Sequence, residues 1–65
     1  MKLTIEMNLN NAAYREYAEY PNEGALVNEA VAADVQKIAT KIELGYRSGS
    51  IIDLNGNKVG TWQIA

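Results

Sequence analysis

The chain has 65 residues, 48% of them apolar and 22% charged, with no cysteine, no histidine and eight acids against six bases. That length allows one domain with one small core, and the two missing residue types exclude disulfides, thiolate or imidazole catalysis and ordinary zinc sites. A net charge of −2 excludes a broad basic surface for bulk nucleic-acid binding.

Residues 2–10 alternate, with Leu3, Ile5, Met7 and Leu9 on one side and Lys2, Thr4, Glu6 and Asn8 on the other. A period of two predicts a half-buried strand. Asn10-Asn11 then favours a turn. Residues 12–23 admit two readings: two helical turns capped by Asn11, or an irregular loop pinned by its tyrosines. The short helix is the favoured one, and Pro21 ends it near Tyr20.

Residues 25–44 carry the clearest helical pattern. Val27, Val31, Val35, Ile38 and Ile42 step by threes and fours into one narrow apolar stripe. Asn22 and Glu23 supply a cap and a first-turn acid, and Gly45 stands where a left-handed terminal residue is expected. The last twenty residues read as a hairpin: Ser48-Gly49-Ser50 as connector, a strand from Ile51 to Leu54, a turn at Asn55-Gly56-Asn57, and a strand from Lys58 to Ile64. Asn-Gly is a strong hairpin signal, because both central residues of that turn need positive φ.

The expected fold is a single α+β domain over residues 1–65, a three-stranded antiparallel sheet packed on one long helix in the order β-(short α)-α-β-β. Placing the last strand in the centre makes every pairing antiparallel. A sheet with one helix has one face to spare, and the turn decides what lies there. A two-residue turn puts Ile52, Leu54, Val59 and Thr61 on one face and Ile51, Asp53, Lys58, Gly60 and Trp62 on the other. A three-residue turn with a bulge groups Ile52, Leu54, Trp62 and Ile64 instead, leaving Ile51 and Val59 opposite. Either register leaves large apolar side chains away from the helix, a contact site unless the 12–20 segment covers them.

Tyr14, Tyr17 and Tyr20 stand among Glu16, Glu19 and Glu23, an acidic, tyrosine-bearing segment suited to a basic partner, with Trp62 as a further contact on the sheet. The bland reading is that some of these aromatics close the edge of the core. Charge divides unevenly: residues 1–33 carry a net −3 and residues 34–65 a net +1. Lys37, Lys41, Arg47 and Lys58 could touch a phosphate backbone, although Lys37 and Lys41 read more simply as the solvated side of an amphipathic helix. Asp53-Leu54-Asn55-Gly56-Asn57 has the start of a calcium loop but neither its length nor its terminal Glu. No catalytic, cofactor or metal residues are assigned, and the chain is read as a non-enzyme. With no apolar run long enough to span a membrane and no leader pattern, a cytoplasmic location is expected.

The segment from Ser48 to Trp62, S-G-S-I-I-D-L-N-G-N-K-V-G-T-W, resembles a C-terminal hairpin of small bacteriophage and prophage proteins, where it also follows a first strand and an amphipathic helix. The tyrosine-rich segment at 14–20 departs from that group, which has a plainer loop there, and the group supplies no activity to transfer residue by residue. What the resemblance implies is context: a short accessory protein that binds a host protein and blocks it, in the manner of an anti-CRISPR or other anti-defence inhibitor, acting in the host cytoplasm. The alternatives are a homodimeric structural or regulatory phage protein whose two sheets pack their open faces and, more weakly, a nucleic-acid-binding module.

Overall fold

A computed structural model describes residues 1–14 and 28–65. The alternating N-terminal segment forms β1, Leu3–Met7. Asn11 then starts a 3-10 turn at Ala12–Tyr14, accepting a hydrogen bond from the Ala13 N–H at 3.1 Å on its Oδ1. This is the cap expected of it; the remainder of the expected short helix, and the Asn22-Glu23 cap, lie outside the described residues.

Helix α1 runs over Asn28–Glu43, about 24 Å at 1.5 Å per residue. Gly45 closes it at φ 99°. The Gly45 and Tyr46 N–H groups donate to the Ile42 and Lys41 carbonyls at 3.0 and 3.1 Å, satisfying acceptors the helix would otherwise leave bare. The inward stripe differs from the expected one. Val35 is more exposed than buried-core residues, at 39%, whereas Asp34 is 4% exposed beside Val31, Ile38 and Ile42. A carboxylate thus occupies a position in the apolar face.

Strands β2, Ser48–Ile52, and β3, Lys58–Ile64, complete an antiparallel sheet of order β1-β3-β2, with the last strand central as expected. Ser48-Gly49-Ser50 is therefore strand and not connector, while Asp53 and Leu54 belong to the turn. Asp53 donates its N–H to the Asn57 carbonyl at 2.9 Å, and Gly56 at φ 82° donates to the Asp53 carbonyl at 3.1 Å. These bonds define a three-residue turn closed by a glycine of positive φ.

The expected faces of this hairpin need correction, because a second irregularity follows the turn. Ile52 pairs with Lys58 and Ile51 with Gly60, so Val59 is an extra residue on β3. A bulge of this kind resets the alternation. Ile51, Val59 and Trp62 are consequently all buried, at 3%, 7% and 3% exposure, and join Tyr14 and Ile38 in one core. The opposite face, set by the pairs Thr4–Gln63, Glu6–Thr61, Ser50–Thr61 and Ile52–Lys58, is polar apart from Ile52. The large apolar patch expected there is not formed by these strands.

Two glycines make the packing possible. Gly49 lies opposite Trp62, and a Cβ at Gly49 would sit 2.8 Å from the indole Nε1. At Gly60 a Cβ would fall 1.9 Å from the Glu6 carbonyl oxygen, inside the β1 backbone.

Candidate functional site

Among the described residues, three features hold polar groups with potential for chemistry or recognition. The first is a buried cluster joining the 3-10 turn to α1. Tyr14, 1% exposed, donates its hydroxyl to Asp34 Oδ2, and Lys37 Nζ stands 3.7 Å from Asp34 Oδ1 one turn further along the helix. Burying a carboxylate is costly unless it is hydrogen-bonded and paired; here a phenol and an ammonium group do both. Burial pushes the Tyr14 phenol well above the ordinary tyrosine value. The bond to Asp34 and the nearby negative charge of Asp34 and Asp53 act in the same direction. Tyr14 is thus held protonated as a donor, a structural task rather than that of a proton acceptor.

The second feature is Asp53, 4% exposed at the head of the hairpin turn. Its Oδ1 accepts the N–H groups of Asn55 at 2.8 Å and Asn57 at 2.9 Å, which organises the turn. Its Oδ2 is buried and has no hydrogen-bond partner among the described residues. Among the described residues no group of three or more histidine, cysteine, aspartate or glutamate side chains is placed to hold a metal ion.

The third is a cleft of about 260 Å3 between α1 and β2. Ile38, Ile51 and Trp62 give it an apolar floor, with Asp34 at one side and Lys37 and Lys41 along the helix rim. Lys41 Nζ lies 4.9 Å from the centre of the Tyr46 ring, a cation–π contact that holds the ammonium near the cleft. The lining therefore carries a net charge of +1: Lys37 is paired with Asp34, and Lys41 is the cation left without a carboxylate among the lining residues.

The residues singled out from sequence divide clearly. Tyr14 and Trp62, taken there as partner contacts, are core residues at 1% and 3% exposure; of the two only Trp62 borders the cleft, as part of its floor. Both answer instead to the bland reading of aromatics that close a small core. Glu16, Tyr17, Glu19, Tyr20 and Glu23 lie outside the described residues. The four cations considered for nucleic acid do not form one stripe, since Lys37 and Lys41 border the cleft while Lys58, paired with Ile52, belongs to the outer sheet face. Sequence reasoning missed Asp34, and placed Asp53 in a strand where the structure sets it at the head of the turn. The available signal for Asp34 was its spacing, three residues after Val31 and four before Ile38, inside an otherwise apolar stripe.

Among the described residues, fold and site together define a small α+β domain with one α-helix, an antiparallel sheet of three strands and a helix–strand cleft. No family model matches the chain, and no curated protein or solved structure matches it either. No helix among the described residues is long and apolar enough to cross a membrane.

Proposed function

We propose that this chain is a non-enzymatic accessory protein of bacteriophage type that binds a host protein in the cytoplasm and blocks it, with inhibition of a CRISPR or related defence complex as the specific role. One observation supports the binding part of this reading: the cleft between α1 and β2 has an apolar floor and a cationic rim, and no described residue fills it. Among the described residues, Tyr14 is engaged with Asp34 across the core, and Asp53 Oδ1 with its own turn. The phage context rests on the resemblance of the 48–62 hairpin.

The test is expression of the chain in bacteria whose CRISPR system targets an infecting phage. Restored plaque formation, together with co-purification of a component of the defence complex, is the expected result. Unchanged immunity and no co-purifying defence protein would refute the inhibitor role.

A further inference from the structure

We infer that the cleft is a strand-addition site, in which an extended acidic segment of a partner protein pairs with the free edge of β2 and seats an apolar side chain under α1. The inference deepens the binding-protein reading and rests on it.

β2 is an edge strand, and among the described residues nothing pairs with its outer side. The hydrogen bond from the Ile64 N–H to the Arg47 carbonyl at 2.8 Å fixes the phase of the β2–β3 ladder. Arg47, Gly49 and Ile51 turn their main-chain groups toward β3, so Ser48, Ser50 and Ile52 turn theirs outward. Edges that must not pair are usually protected by lysine, proline or an inward charge. This one reads Ser-Gly-Ser-Ile-Ile and has none of them.

The cleft opens along the same edge, lined by Ser50 and Ile52 on the strand and by Lys37 and Lys41 on the helix. An added strand alternates its side chains. Residues opposite Gly49 and Ile51 point to the helix side, and those between them point to the polar outer face. An apolar residue in one of the helix-side places meets Ile38, Ile51 and Trp62. A carboxylate two residues away, on the same side, meets the lysine rim. This is peptide recognition with main-chain bonds for affinity and alternate side chains for selectivity.

Charge selects this occupant over a second copy of the chain. Pairing β2 with β2 about a two-fold axis would set both helices on one face of a continuous sheet. Their Lys37 and Lys41 rims would then oppose each other, and like charges across an interface are disfavoured. An acidic strand meets the same rim favourably.

The experiment uses two heptapeptides in which threonines alternate with either Glu, Ile and Glu or Lys, Ile and Lys, titrated into isotope-labelled protein. The acidic peptide is expected to shift the amide signals of Ser48, Ser50 and Ile52, and the lysine peptide to bind at least about tenfold more weakly. Ser50→Pro removes an outward N–H without touching the β2–β3 ladder, and should abolish binding by a folded protein. Lys41→Gln, which leaves the Lys37–Asp34 pair intact, should reduce the preference for the acidic peptide, and serves also if Ser50→Pro fails to fold. Equal binding of both peptides, no shift along β2 at millimolar acidic peptide, or a β2-mediated dimer at micromolar protein would each overturn the inference. Those results would leave restored plaquing in the infection assay untouched, so the two readings can fail separately.

Discussion

Removing one hydroxyl from the core should show how the fold depends on its buried carboxylate. In Tyr14→Phe the ring stays in place, 1% exposed, and only the hydrogen bond to Asp34 is lost. A hydrogen bond to a charged group contributes about 1.5–3 kcal/mol, and its loss leaves Asp34 with Lys37 at 3.7 Å as its remaining partner. A loss of about 2 kcal/mol is therefore expected at neutral pH. For a domain of this size it corresponds to a fall of roughly 8–16 °C in Tm, a large part of the roughly 3–10 kcal/mol that 65 residues sustain.

The pH dependence makes the assignment specific. Because the folded phenol has a raised pKa, it keeps its proton where the unfolded chain has lost it. Above the ordinary value near about 10, the unfolded state binds fewer protons than the folded one, and stability falls as pH rises. The advantage of the wild type is thus complete below that value and shrinks above it by about 1.4 kcal/mol per pH unit. Urea melts of both proteins from about pH 7 to pH 11.5 measure the difference, in which titrations common to the two cancel. A gap that stays flat across this range would refute the burial of the Tyr14 phenol beside these carboxylates, and no gap at pH 7 would refute the role given to its bond to Asp34.

Gly60→Ala should damage the fold more than Gly49→Ala, because the added methyl meets the Glu6 carbonyl in the first case and an indole ring in the second. A cost of about 1–3 kcal/mol is expected at Gly49 from overpacking, while Gly60→Ala should separate β1 from β3, which amide exchange in residues 3–7 would report. Asp53→Asn keeps an oxygen to accept the Asn55 and Asn57 N–H groups and replaces a buried, unpartnered carboxylate oxygen. It should therefore be better tolerated than Asp53→Ala, which loses both bonds at a cost of about 1–2 kcal/mol by analogy with caps; chemical denaturation of the pair gives the order. Gly45→Ala places a Cβ at φ 99° and should cost about 1 kcal/mol, read as a lower Tm with an unchanged strand signal in amide exchange.

The local signals were the legible ones. Alternation in residues 3–7, helical spacing from Val31 to Ile42, Gly45 after the helix and Asn-Gly in the hairpin each report a backbone preference confined to a few neighbours. Their consequence, a three-stranded antiparallel sheet with β3 central, followed from the economy of short connections. The features that escaped depend on residues far apart in sequence. Asp34 reads as an outward-facing polar residue until Tyr14, twenty positions earlier, is found hydrogen-bonded to it. Val59 and Trp62 differ in parity and read as opposite faces until the bulge between them is known.

That bulge also moves the place where a partner can act. Without it, a regular β3 would have turned either Val59 or Trp62 to the uncovered face, and contact through the flat of the sheet would have been the natural expectation. With it, both side chains join the helix side, where Trp62 occupies the space that Gly49 leaves empty. The outer face becomes polar, and an apolar contact there would have to rely on Ile52 beside Thr61, Gln63 and Lys58. Among the described residues, the seam between α1 and β2 is what stays open, where apolar side chains, two ammonium groups and the outer main-chain groups of β2 meet within one cleft. An added strand there would pair the main-chain groups and fill the cleft above its apolar floor in the same step, which the polar outer face does not offer.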